Sequence, residues 1–215
     1  MINFFNKRFF IIFLFPIIFG GITVLGFQPF NFSIINFISL PLLFLTIIYV
    51  KKKSKSTYRK KPFLKNLFIL GTSFGFGYFF FGIYWISNSL TFDETFTFLI
   101  PFSLILIPLF LSLFFSIPII LVGNFCEKNI STIFLLSFIL SISDFLRSEL
   151  LTGFPWNMWG YSFSWSLESL QILNTIGFFS LNTLIITVFL LPIIFFTKIK
   201  IKYLFLSFFV SLIFF

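Results

Sequence analysis

The 215-residue sequence is 59% hydrophobic and 10% charged, with a mean hydropathy of +1.09. A water-soluble domain carries about 25% charged residues, so this composition excludes a chain with an aqueous surface on all sides. The formal net charge of +9 comes from short segments between apolar runs, which indicates a topology signal rather than a nucleic-acid partner. The composition therefore predicts an all-α polytopic membrane protein, built from apolar helices of about 20 residues each.

Few residues in the sequence can carry covalent or metal chemistry. There is no histidine and a single cysteine, Cys126. This excludes an intrachain disulfide, a zinc site of the usual kind and a histidine-based catalytic triad. Because Cys126 has no histidine to activate it, we interpret it as a structural or incidental thiol. We predict no catalytic residue, no metal and no cofactor in this chain.

Apolar runs separated by polar or basic segments predict a bundle of six complete transmembrane helices plus a truncated seventh. The charge-free run after Arg8 is divided at 28–31, where Pro29 has no backbone N–H to donate. Glycines in the third span predict close helix packing, and three prolines in the fourth predict kinks. The predicted spans are 9–27, 33–50, 67–89, 95–122, 130–151, 170–196 and 203–215, the last being too short to cross a bilayer.

The charged residues divide between the two ends of the predicted bundle. If the N-terminus is cytoplasmic, every basic residue except Arg147 falls on the cytoplasmic side, most of them at 51–65. This is the positive-inside pattern. It predicts a multi-pass protein in which the turn 28–31, the segment after Trp85 and the loop 153–161 share the outer face of the membrane.

The fifth predicted span has a polar face. Ser137, Ser141, Asp144 and Ser148 recur at helical spacing. Arg147 lies three residues after Asp144, within reach of an intrahelical ion pair. Asp144 is about 10 Å from the predicted helix end, a depth at which ionisable groups are costly and face the bundle interior. We predict that Asp144 and Arg147 form a structural polar pair that also shapes the loop beyond it.

That loop, at 151–162, is the longest break in the hydrophobic sequence that is neither charged nor of low complexity. It contains two tryptophans, two glycines, a proline and a tyrosine. We predict that it forms a recognition or reaction site at one membrane face. Trp85, near the exit of the third span, has two open interpretations: an interfacial aromatic or a binding-site residue.

Three segments in register resemble the apolipoprotein N-acyltransferase family. Leu-Gly-Phe-Gln-Pro-Phe at 25–30, with Ile-Ser-Leu at 38–40, resembles the family's first periplasmic turn and second helix. Gly75, Gly77, Gly82 and Trp85 resemble its third helix. The stretch 144–156, followed by Gly-Tyr-Ser at 160–162, resembles its most diagnostic motif, which usually runs from Glu-Phe/Trp-Leu-Arg-Gly into Thr-Gly-Phe-Pro-Trp. Ser148 stands where the family usually has glycine.

The resemblance implies a bacterial inner-membrane enzyme with eight membrane helices and a nitrilase-like domain between the last two. Such enzymes move an acyl chain from a phospholipid donor, through a cysteine thioester, to the amine of a diacylglyceryl apolipoprotein acceptor. They use a Glu base, a Lys at the oxyanion and a Cys nucleophile. The sequence ends where the seventh helix is expected. We therefore expect a truncated or split form, inactive alone or paired with a separately encoded nitrilase-like domain.

Carried over by motif position, the resemblance implies a role in lipid positioning for six residues. They are expected to shape the opening where lipid chains enter and to support the catalytic domain: Trp156, Gly153, Phe154, Pro155, Tyr161 and Trp85. Two other functions stay open. One is a non-catalytic membrane scaffold or lipid-binding subunit. The other is a transporter, which no internal repeat supports.

Overall fold

The computed structural model describes residues 9–54, 60–150 and 153–196. Within these ranges the chain is helical, without a β-strand, so the predicted all-α class is confirmed. The α-helices of the described chain are α1 (Phe15–Thr23), α2 (Asn36–Ser54), α3 (Lys60–Ile83), α4 (Ile100–Leu111), α5 (Leu113–Gly123), α6 (Ile130–Glu149), α7 (Leu167–Ile176) and α8 (Phe178–Leu190). A π-helical turn precedes α1, and 3-10 segments extend several helix ends: Phe10–Leu14, Val24–Gly26, Ser33–Ile35, Tyr84–Thr91, Glu94–Leu99, Trp159–Phe163 and Leu191–Phe196.

Five helical segments of the described chain are long and apolar enough to cross a membrane, which makes the protein multi-pass. They are Ser33–Lys53, Phe63–Thr91, Glu94–Gly123, Ile130–Glu149 and Phe178–Phe195. A shorter apolar helix, Phe10–Gly26, precedes them. The predicted count of six complete spans and a truncated seventh is not confirmed. The predicted segment 203–215 lies outside the described residues.

The helix predicted at 170–196 is interrupted in the structure. Gly177 has φ +77° and ψ +165°, a conformation that is essentially restricted to glycine. It separates α7 from α8, and the segment long enough to span begins at Phe178. The hydropathy of a sequence does not reveal the torsion of a single glycine. The sequence therefore predicts α7 and the span that follows it as one helix.

Small residues bring α3 into direct backbone contact with two neighbours, as the glycine pattern predicts. A Cβ on Gly71 would lie 2.5 Å from Ser116 Cα, and one on Gly75 would lie 2.8 Å from Ser112 Cα, both on the α5 side. On the opposite side, a Cβ on Gly77 would collide with the carbonyl of Ile17 in α1. Association of helices in lipid depends on such close packing, because lipid tails are as apolar as leucine.

Contacts between turns define two ends of the bundle. The hydroxyl of Ser33 donates to Ser162 O at 3.3 Å, and Gln28 Nε2 lies 3.5 Å from Ser164 Oγ. We call this the loop end. At the opposite end, Lys51 Nζ donates to Cys126 O at 3.1 Å and to Glu127 Oε1 at 3.4 Å.

Candidate functional site

A tight turn after α6 folds the loop 153–163 back over the end of that helix. Leu150 N donates to Leu146 O at 2.8 Å, and Phe154 N donates to Arg147 O at 2.9 Å. Gly153 has φ +77°, and a Cβ there would lie 2.5 Å from Ser148 O. The turn therefore requires glycine, both for its torsion and for its space. Leu151 and Thr152 lie outside the described residues.

Arg147 joins α6 to the loop. Its Nη1 donates to Phe154 O at 2.9 Å and to Trp156 O at 2.6 Å. Its Nη2 donates to Asp144 Oδ1 at 2.9 Å. The side chain is 1% exposed, and the guanidinium carbon lies 5.1 Å from the ring centroid of Phe79, within cation–π range. The two residues predicted as a polar pair therefore lie in contact, and the arginine also fixes the loop backbone.

Asn182 of α8 connects the same ion pair to the other half of the loop. Its Nδ2 donates to the second carboxylate oxygen of Asp144 at 2.9 Å. Its Oδ1 accepts from Gly160 N at 2.8 Å. The side chain is fully buried. Arg147, Asp144 and Asn182 therefore form a continuous chain of hydrogen bonds between two points of the loop; we call this set the buried network.

A stack of aromatic side chains anchors the middle of the loop. Trp159 is 1% exposed, and its ring lies nearly parallel to that of Tyr78, with centroids 5.2 Å apart and 24° between planes. The Tyr78 hydroxyl donates to Asn157 O. Asn157 has φ +53°, a left-handed conformation that asparagine tolerates better than most residues. The loop is thus held by buried contacts along its length.

Other predicted site residues lie on the surface of the loop end. The rings of Trp85 and Trp156 meet edge to face with centroids 5.2 Å apart, and both side chains are exposed, as is Pro155. Tyr161 lies instead against Phe178, with centroids 4.7 Å apart. Partial burial raises the pKa of Tyr161, opposed by the charge of Arg147. The structure therefore brings Trp85 and Trp156 together, and it places Tyr161 in a separate contact.

An apolar groove of about 320 Å³ opens beside Arg147, between α4, α5 and the end of α6. Phe154 forms part of its wall. The full lining is Leu106, Ile107, Phe110, Leu111, Phe114, Arg147, Leu150 and Phe154. Its volume falls at the lower end of the range for ligand pockets, about 300–1,000 Å³.

The sequence does not identify Asn182 or Tyr78 as parts of the site, whereas Trp159 lies within the predicted loop 151–162 but is not among the predicted lipid-positioning residues. A lone asparagine in an apolar helix is a usable signal, because a buried amide needs partners. No pattern in the sequence indicates that its partners lie on α6 and in the loop. Tyr78 and Trp159 occur among many aromatic residues, so composition does not distinguish them.

The described residues fix the loop backbone and present apolar side chains, but few of them can take part in covalent chemistry. Cys126 is buried at the opposite end, and burial raises the pKa of its thiol to about 12. Among the described residues, no three His, Cys, Asp or Glu side chains lie close enough to hold a metal ion. Within these ranges, the arrangement suits binding of an apolar ligand at a fixed loop.

Comparison with known proteins places the chain in a family. The family model of the apolipoprotein N-acyltransferase N-terminal domain matches residues 19–191. The apolipoprotein N-acyltransferase of Rhodopseudomonas palustris is 34% identical over 175 residues, 80% of this chain and 31% of the relative. The apolipoprotein N-acyltransferase of Bradyrhizobium diazoefficiens is 33% identical over 80% of this chain and 31% of the relative. That of Rhizobium rhizogenes is 31% identical over 83% of this chain and 33% of the relative. The chain thus spans about a third of the length of these relatives. It belongs to the apolipoprotein N-acyltransferase family and matches its N-terminal domain.

Proposed function

We propose that this chain is the membrane part of an enzyme that N-acylates bacterial lipoproteins with an acyl chain from a phospholipid. The observation that carries the proposal is the buried network. It fixes a loop with exposed aromatic rings at the end of a membrane bundle, beside an apolar groove. Polar residues inside a membrane bundle are costly, and those retained there mark functional sites by default.

In this proposal the loop is a preorganised platform. Arg147 and Asn182 hold its backbone at Phe154, Trp156 and Gly160. The exposed rings of Trp85 and Trp156 then lie where acyl chains meet the aqueous face. A platform of this kind lowers the barrier by fixing the substrate near its reaction partner, since misplacement by about 1 Å costs on the order of 100-fold in rate.

The acyl-transfer step itself needs a thiolate, a base and an oxyanion donor. Cys126, the single cysteine of the sequence, lies at the end opposite the loop, and burial raises the pKa of its thiol to about 12. We therefore propose that a nitrilase-like domain outside these 215 residues supplies the reacting groups. It sits over the loop end, either on the same polypeptide or as a separate chain.

We also propose an orientation of the helix bundle in the membrane, which determines the side on which this domain lies. The lysine-rich end of α2, with Lys51, Lys52 and Lys53 in its last turn, lies in the cytoplasm, because cytoplasmic segments carry an excess of basic residues. The loop end then lies in the periplasm of the inner membrane, where the diacylglyceryl lipoprotein and the outer-leaflet phospholipid are both accessible.

A chimera tests the proposal. Residues 1–196 replace the matching N-terminal part of the Rhodopseudomonas palustris relative, and transfer of an acyl group to a diacylglyceryl peptide is measured by mass spectrometry. We expect transfer by the chimera, none by the 215-residue chain alone, and none by a chimera whose nucleophilic cysteine is alanine. Transfer by the chain alone would overturn the proposal. A folded but inactive chimera would instead support a non-catalytic scaffold or lipid-binding subunit.

A further inference from the structure

We propose that α7 is an interfacial helix, which lies along the membrane surface at the loop end with its apolar side against the lipid. Its partner is the bilayer surface itself rather than a single bound lipid molecule. The inference goes beyond the proposed function and does not depend on it, because the contact requires no acyl transfer and no catalytic domain.

The length of the span after α7 places this helix at the membrane boundary. That span, Phe178–Phe195, has 18 residues, which is about 27 Å at 1.5 Å per residue. The hydrocarbon core of a bilayer is about 30 Å thick. The span therefore fills the core by itself, and its first residue lies near one boundary. The ten residues of α7 precede that boundary and are too few to cross the membrane themselves.

Gly177 ends α7 and begins α8, so the two helices do not form one continuous rod. Gly177 N donates to Leu173 O at 2.9 Å, and Leu181 N donates to Gly177 O at 3.2 Å. Its torsions, φ +77° and ψ +165°, are essentially restricted to glycine. A Cβ at this position would meet no other atom of the described chain within 4 Å. Glycine is thus required for the change of direction and not for packing.

The residues of α7 divide into an apolar and a polar side. At 100° per residue, the apolar side covers an arc of about 160° and consists of Leu170, Ile172, Leu173 and Ile176. The remaining arc carries Glu168, Gln171, Asn174 and Thr175, and two residues depart from the division, Leu167 and Ser169. A helix with this division fits a boundary between an apolar phase and water.

The bundle covers only the middle of the apolar side. Leu173 is half-buried and packs against the core. Leu170 lies on one side of it and is 41% exposed, whereas Ile172 and Ile176 lie on the other and are 45% and 37% exposed. Single exposed apolar residues are ordinary. Three of them on one arc, at the depth where acyl chains begin, form a surface that fits the lipid.

The polar side carries a charge that belongs in water. Glu168 is exposed, and a hydrogen bond from the Ser166 hydroxyl at 2.7 Å lowers the pKa of its carboxyl group. A carboxylate is costly inside the hydrocarbon core, so this side faces away from the lipid. Because α7 contains no lysine or arginine, burial of its apolar side and its connection to α8 hold it at the surface, rather than attraction to anionic headgroups.

Spin labels on the two sides of α7 test the contact. In a Cys126→Ser background, single cysteines replace Ile172 or Ile176 and, as matched controls, Gln171 or Thr175; all four positions are exposed. The 215-residue chain is labelled with a nitroxide in phospholipid nanodiscs. Electron paramagnetic resonance then measures collision with oxygen, which partitions into lipid, and with a water-soluble nickel complex.

We expect the ratio of oxygen to nickel collisions to be about fivefold higher at 172 and 176 than at 171 and 175, because only the first pair enters the lipid. Equal ratios at the four positions would overturn the proposal. Weak collision with both reagents at 172 and 176 would also overturn it, since it would show that protein covers this side of α7.

Charges on the apolar side provide a second test. With the label on Leu170→Cys, the pair Ile172→Glu and Ile176→Glu is compared with the pair Gln171→Glu and Thr175→Glu. We expect the first pair to lower the oxygen to nickel ratio at 170 about threefold, because carboxylates pull the helix out of the lipid, and the second pair to leave the ratio unchanged. An unchanged ratio in both folded variants would overturn the proposal.

Discussion

Gly153 shows how one residue determines the path of the loop. Its φ is +77°, and a Cβ at this position would lie 2.5 Å from the carbonyl oxygen of Ser148, so a side chain does not fit there. We expect Gly153→Ala to lower the free energy of unfolding by about 1–3 kcal/mol, the usual strain at such torsions. Pro155→Ala, at an exposed position two residues on, is the control and is expected to change stability by about 0.5 kcal/mol or less. Unfolding by SDS in mixed micelles measures both, and equal effects would contradict the assigned role.

Cys126 gives a prediction about pH. Burial raises its pKa from 9.0 to about 12, so the folded protein favours the neutral thiol. The stabilisation is fully present below pH 9.0 and is lost as the pH rises toward about 12. We expect iodoacetamide to label Cys126 slowly at pH 8 in the folded chain and rapidly after denaturation. Cys126→Ser is the unlabelled control. Rapid labelling of the folded chain at pH 8 would indicate an accessible, reactive thiol instead.

The element that carries most of the site is α6, which presents Asp144 and Arg147 on one buried face. We expect Arg147→Ala to lower the free energy of unfolding by about 3–5 kcal/mol, because it leaves the Asp144 carboxylate buried without its partner. The yield of membrane-inserted protein is expected to fall as a result. The double variant Asp144→Ala with Arg147→Ala is expected to recover part of this loss, since it removes the unpaired charge. Yield after solubilisation in mild detergent measures both. An unchanged yield in Arg147→Ala would mean that water solvates Asp144.

At the scale of structural elements, the sequence predicts the helices better than the contacts between them. The steps between Ser137, Ser141 and Asp144 place the polar face of α6 correctly, because helical spacing is local. The contact of Asn182 with Asp144 joins residues 38 positions apart, and that of Tyr78 with Asn157 joins residues 79 apart. Such pairings depend on how whole helices pack, which no local pattern encodes.

On the scale of the whole molecule, the two ends of the bundle lie on opposite sides of the membrane in the proposed orientation. Lys51 contacts the 126–127 turn at one end, and Gln28 lies beside Ser164 at the other. In a Cys126→Ser background, we expect an impermeant thiol reagent to label Ser164→Cys in spheroplasts. Lys52→Cys, the matched control on the opposite side, is expected to react only after permeabilisation. The reverse pattern would contradict the proposed orientation.

In the proposed function, the buried network holds the loop in the position needed for acyl transfer. The most direct measurement is the initial rate of transfer by the chimera carrying Asn182→Leu, normalised to folded protein. Asn182 is buried and bridges Asp144 to Gly160, whereas Asn174 on α7 is exposed, so Asn174→Leu is the matched control. We predict a rate about 10- to 100-fold lower for Asn182→Leu and an unchanged rate for Asn174→Leu. Equal rates in the two folded variants would contradict this role of the buried network.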